Sequence, residues 1–225
     1  SWRRGGRGGY ADRLAAEGAW TPVVLRANTG LPIADNGVAL ASLLDDLVAC
    51  WPVPVRRIAL VGHSMGGLVM RSACAVVTDA PHPWRELVTN VVTLGTPHLG
   101  APLERSVHVG ARLLGLAPES APFGRILDFR SVGILDLRAG LAPDVERLPH
   151  ARYHLVAATL AGSRHHPLSM ALGDLLVRYP SAVGAPRRGP QLFPGADVLQ
   201  VRGDHFDLLD HPDVDLALRG WLGIR

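Results

Sequence analysis

Short apolar runs alternate along the chain with stretches in which apolar residues recur every three or four positions. Residues 57–61 (RIALV) and 87–94 (LVTNVVTL) are almost continuously apolar, as strands covered on both faces should be. Residues 21–26 (TPVVLR) read as an earlier strand, and 153–158 and 197–201 as shorter later ones. Between these runs, 37–50 (GVALASLLDDLVAC) has helical spacing with Asn36 in the capping position. Residues 64–78 read as a second helix, and 213–222 (DVDLALRGWL) as an amphipathic closing helix. Strand and helix in alternation predict an α/β fold, a mostly parallel sheet with helices on both faces. No internal repeat is present.

The rhythm breaks between residues 99 and 149, which are rich in Leu, Gly and Pro and contain no clear strand. Fifty residues exceed a simple connection, so 99–149 is expected to form a helical cap or lid inserted into a single domain spanning 1–225. The Pro/Gly-rich stretch 180–195 reads as a surface loop.

Composition narrows the function classes. The chain has 225 residues, 48% of them apolar and 19% charged, which suits a soluble globular protein. No run approaches the roughly 18 apolar residues of a membrane helix. The net charge of +3 comes from 23 basic residues, all arginine and all scattered, which reads as composition bias and not as a nucleic-acid surface. Cys50 and Cys74 lie in apolar segments without metal-ligand spacing and are expected to be buried free thiols. His165 and His166, with His150 and His154 nearby, lack flanking carboxylates at ligand spacing, so no metal and no cofactor are expected. A cytoplasmic location is the reading for the chain as given; because Ser1 is not an initiator methionine, a signal peptide upstream is left open.

Chemistry concentrates in 60–73 (LVGHSMGGLVMRSA). A serine hydroxyl becomes a useful nucleophile only when a base can reach it, so it must stand proud of the backbone. GHSMG fits the G-x-S-x-G elbow, in the context that elbow requires: a strand before it and a helix after it. Gly62 and Gly66 are expected where a tight strand-to-helix turn leaves no room for side chains. The helix start aims free N–H groups at the place where an oxyanion would form, with the N–H of Met65 as the first donor. Ser64 would cap the helix whether or not it is catalytic.

Together with 91–102 (VVTLGTPHLGAP), GHSMGG resembles the lipase and esterase branch of the α/β-hydrolases, including bacterial triacylglycerol lipases and deacylases similar to the GPI inositol deacylase. The resemblance runs from about residue 21 to the C-terminus and implies a Ser, Asp, His order. The ending VRGDHFDLLDHP is similar to the family's, which implies His205 as the base and leaves His211 as a helix-start residue. The stretch GDLLVRYPSA resembles the family's acid motif and implies Asp174 as the acid; Asp197 begins a strand, and Asp204 adjoins the base too closely to swing beneath its ring. His98 is implied to shape the floor of the site. The second oxyanion donor comes, in such sequences, from an H-G pair before the first helix. None precedes TPVVLR, so that donor and the N-terminal strands are expected upstream of Ser1.

These residues point to an acyl-enzyme on Ser64 and to a small-molecule or lipid ester as substrate, with transient contact to a lipid surface. Thioesterase, acyltransferase and peptidase chemistry use the same triad, and a non-catalytic binding protein on the same fold also stays open.

Overall fold

In the computed structural model, residues 8–18, 20–78, 80, 83–100, 145, 147–160, 174 and 176–224 are described. The expected cap or lid at 99–149 lies almost wholly outside them, as do His165 and His166.

Four parallel strands form one sheet in the order β1 (Ile58–His63), β2 (Val88–Leu94), β3 (Arg152–Thr159), β4 (Asp197–Arg202). Apart from a shift between Ile58 and Ala59 of β1, register carries across the sheet: Val61 pairs with Val92, Val92 with His154 and His154 with Asp197. Side chains alternate between the two faces. Val91 and Leu155 point to one side, where they pack with Ala41 and Leu44 of α2 (Ile33–Cys50) and with Met70, Ala73 and Cys74 of α3 (Met65–Ala75). The neighbouring Val92 and Val156 point to the other. There they meet Tyr10 of α1 (Tyr10–Ala16), and, beyond two short helices α4 (Trp84–Leu87) and α5 (Tyr179–Ala182), Val214 and Leu218 of α6 (Pro212–Leu222). Fully apolar strands are thus explained by a core on each face. The last helix stops where Gly223 adopts the left-handed conformation, φ 69°.

Four expectations are corrected. Residues 21–26 form no strand, and Val23, Val24 and Leu25 are exposed. An apolar run becomes a strand only when a ladder partner accepts it, and β1, the edge of the sheet, pairs only with β2. Asn36 does not cap α2, which begins at Ile33; its buried Nδ2 instead donates to the carbonyls of Asn28 (2.9 Å) and Pro32 (3.1 Å), tying the incoming chain to the helix. Cys50 is exposed while Cys74 is buried. The stretch expected as a surface loop, 180–195, sends Phe193 into the core, where its ring packs edge-on against His98 at 4.6 Å. Among the described residues, no helix is long and apolar enough to cross a membrane.

Candidate active site

Because all four strands run the same way, their carboxyl ends fall on one edge, and the segments carrying Ser64, Gly95, Asp174 and His205 follow there. Ser64 sits between β1 and α3 with φ 54° and ψ −125°, the one residue other than glycine at positive φ in the described structure. That conformation costs on the order of 1–3 kcal/mol and persists only where neighbours enforce it. Two of them do: the Ser64 N–H donates to the Leu94 carbonyl at 2.8 Å, and the Gly67 N–H donates to the Ser64 carbonyl at 3.1 Å. Although Ser64 holds the N-cap position of α3, its hydroxyl makes no capping bond. The Met65 N–H, first of the helix, has no carbonyl four residues back within α3.

The glycines divide differently from the expectation. A Cβ on Gly62 would lie 2.8 Å from the backbone of Gly66 and Gly67, and one on Gly67 would lie 2.0 Å from the Thr96 hydroxyl. A Cβ on Gly66 meets nothing within 4 Å among the described residues. The tight pair is therefore Gly62 and Gly67.

Asp174 and His205 are brought together. His205 Nδ1 and Asp174 Oδ2 stand 2.7 Å apart, both side chains about 1% exposed. The other carboxylate oxygen, Oδ1, accepts the N–H groups of Leu176 (3.0 Å) and Val177 (2.6 Å), so Asp174 also organises its own turn. The His205 N–H donates to the Asp174 carbonyl at 3.2 Å, a second link between the two segments. Around His205, Asp204 Oδ1 accepts from the N–H groups of Phe206 and Asp207, and Asp207 Oδ2 accepts from that of Asp204. These reciprocal caps fix the turn that holds His205. His205 Nε2 is buried and has no hydrogen-bond partner among the described residues, Ser64 included.

Two residues near the base carry no assignment from the sequence. Gly95, at φ 57°, lies so close that a Cβ would sit 3.1 Å from Cε1 and Nδ1 of the His205 ring. His63, immediately before the nucleophile, places Nε2 2.9 Å from the His205 carbonyl oxygen. A histidine beside an elbow serine was visible in the sequence, but nothing in its spacing says that it meets a loop 142 residues away. Burial, and then the proximity of His205, push the His63 imidazole down to about 3.

His98, His211 and His154 take structural places. His98 is fully buried, with Nε2 3.2 Å from the Thr93 hydroxyl, and burial holds it well below the usual imidazole range. Ser181 secures the loop that carries His98: its hydroxyl donates to the Gly100 carbonyl at 2.7 Å and accepts the Leu99 N–H at 3.1 Å. His211 caps α6 by accepting the Asp213 N–H. His154 stands at the start of β3 between Asp197 and Asn90, and Asp197 itself opens β4.

The family model for the PGAP1-like alpha/beta domain matches residues 44–112, the part that holds the elbow and GTPHLG. Solved structures with similar folds include the mature form of Bacillus licheniformis lipase BlEst2, at 22% identity and a TM-score of 0.55 over 85% of this chain and 74% of that one. The NocB thioesterase domain, solved as a covalent complex with a fluorophosphonate nocardicin G analog, gives 22%, 0.53, 85% and 75%. A thermophilic esterase gives 16%, 0.51, 90% and 75%. No curated protein sequence matches the chain. The chain has the α/β-hydrolase fold, with a parallel sheet and the elbow in its usual strand-to-helix place.

Proposed function

We propose that the protein is a serine hydrolase that cleaves carboxylic esters of the lipase or carboxylesterase type, through an acyl-enzyme on Ser64. The observation that carries this reading is the buried 2.7 Å contact between Asp174 and His205 on the edge of the sheet from which Ser64 projects, held in a strained conformation with its hydroxyl free of capping. A serine kept merely to cap a helix needs neither the strain nor the buried acid–base pair.

In this reading Asp174 accepts the Nδ1–H of His205 and so leaves the Nε2 lone pair facing the site. His205 takes the Ser64 proton as the hydroxyl attacks the ester carbonyl, and Asp174 stabilises the imidazolium that forms. The Met65 N–H donates to the developing oxyanion. His205 then delivers its proton to the departing alcohol, and water, deprotonated by the same base, releases the acid. The apolar composition of 99–149 supports a lipid or other apolar ester, and transient contact with a lipid surface, over a polar substrate.

A fluorophosphonate probe should label Ser64, and short p-nitrophenyl esters should turn over, with both signals lost in Ser64→Ala. Folded protein that shows neither supports the alternative, a non-catalytic binding protein on the same fold. The unpartnered Nε2 of His205 is the observation that favours that alternative.

A further inference from the structure

His63 ends β1 and precedes the proposed nucleophile, yet its ring belongs to the surroundings of the base. The His63 and His205 rings lie 4.5 Å apart between centroids, tilted by 48°, and the Phe206 ring flanks His63 at 6.4 Å. A carbonyl oxygen can only accept, so the 2.9 Å contact to the His205 carbonyl means that His63 Nε2 carries a proton and donates it. Backbone at 63–64 is itself fastened to β2, through the Ser64 N–H and the Leu94 carbonyl. One short path thus runs from the sheet to the nucleophile, to His63, and on to the backbone of the base. Among the described residues, the rings of His205 and Phe206 flank His63.

We infer that His63 is a positioning residue for the general base: its Nε2–H holds the His205 segment in register with Ser64. The inference rests on the hydrolase reading. Proton transfer between Ser64 and His205 demands placement to within about half an ångström, and these two residues come from segments that share no strand. A donor on the residue next to the nucleophile, bonded to the backbone of the base, sets that spacing directly. Burial keeps His63 neutral, so the base can take a proton without a second cation against its ring.

The test compares His63→Phe, which keeps an aromatic ring and removes the donor, with His63→Gln, which keeps an amide donor. Rates are expressed per folded molecule, with folding read by circular dichroism. On a p-nitrophenyl ester, His63→Phe should lower kcat by about 10- to 100-fold with KM within about twofold, the size expected of a misplaced catalytic group. His63→Gln should recover most of that loss. Independently of turnover, the low-field proton resonance of the His205 Nδ1–H bonded to Asp174 should be sharp in the wild type, broadened in His63→Phe and sharp again in His63→Gln. An unchanged kcat and an unchanged resonance in His63→Phe overturn the inference. Equal losses in both variants, in step with their Tm, overturn it as well, because ring packing alone then explains His63. A wild-type protein that neither labels nor turns over sinks the hydrolase reading, while the resonance still decides whether His63 orders the base.

Discussion

Gly67 and Thr96 touch: a Cβ on the glycine would fall 2.0 Å from the threonine hydroxyl and 2.7 Å from its methyl. The helix that follows the proposed nucleophile is thereby seated against the segment after β2. Gly67→Ala should cost about 1–3 kcal/mol through overpacking, with partial relief in the Gly67→Ala/Thr96→Ala double variant. Gly66→Ala should leave stability unchanged or raise it by up to about 1 kcal/mol, since it adds a better helix former in open space. Denaturant unfolding of the four proteins checks this, and equal losses at both glycines would contradict the division.

Ser64 stores strain that a glycine would release. At φ 54° and ψ −125° the backbone is poor for serine and easy for glycine. Ser64→Gly should therefore unfold at a higher denaturant concentration than wild type, by about 1–2 kcal/mol after the entropy cost of glycine, while losing all turnover. Ser64→Ala should lose turnover without the gain. If Ser64→Gly proves less stable than Ser64→Ala, the strain has been misplaced.

Much of the frame is legible in the sequence because its central strands, β2 and β3, are buried along most of their length and so read as largely apolar runs. Residues 153–158 and 197–201 fall within strands of the sheet, and 57–61 and 87–94 each overrun theirs by one residue at the start, Arg57 before β1 and Leu87 at the end of α4. The run 21–26 has the same composition but no ladder partner, and composition alone carries no information about pairing. Site chemistry shows a similar limit. Ser64 announces itself through local spacing, but which glycine is crowded depends on Thr96, and the role of His63 depends on a loop far along the chain. Asp174 and His205 stand out only through family resemblance, since neither spacing nor period relates two residues 31 apart on different segments.

Asp174 serves two oxygens with two duties, and a conservative change separates them. Asp174→Asn keeps an acceptor at Oδ1 for the Leu176 and Val177 N–H groups but places an amide where Oδ2 received the His205 proton. Turnover should fall by about 10⁴, the scale of a reversed imidazole tautomer, with little change in Tm. Asp174→Ala frees the turn as well and should lose about 1–3 kcal/mol of stability for the buried donors it leaves unpaired. The comparison requires ester hydrolysis and thermal unfolding on the same samples; similar turnover in wild type and Asp174→Asn would remove Asp174 from the mechanism.

Acid should unfold the protein through its buried histidines. Burial lowers His63 to about 3 and His98 well below its ordinary value, with Arg71 adding to the effect at His98. Both native sites bind protons less readily than the unfolded chain, whose imidazoles titrate near 6.5. Their contribution to stability is complete above about pH 6.5 and is lost as pH falls through the window from there towards 3. Each histidine contributes a slope of at most about 1.4 kcal/mol per pH unit in that window. His63 retains some solvent access, so its share is the smaller fraction of that limit. Urea unfolding at a series of pH values should show stability falling below pH 6.5, with a shallower slope in His63→Gln. A flat profile between pH 7 and 5 would contradict the burial of neutral imidazoles.

Tyr10 ties the first helix to the far side of the turn that holds the base. Its hydroxyl donates to the Leu208 carbonyl at 2.9 Å and accepts the His211 N–H at 2.7 Å, and burial pushes the phenol up to about 12, so it stays protonated as a donor. Tyr10→Phe keeps the ring that packs in the core with Val214 and Leu218 but leaves a buried carbonyl and an N–H without their partner. The cost should be about 1–3 kcal/mol, several times that of an exposed hydroxyl. Because Leu208 lies three residues beyond His205, the loosened turn should also slow labelling of Ser64 by a fluorophosphonate, even in samples that remain fully folded. The labelling rate constant, measured well below the Tm of the variant, separates the two effects. If it matches wild type while Tm falls, Tyr10 anchors the fold and leaves the base where it was.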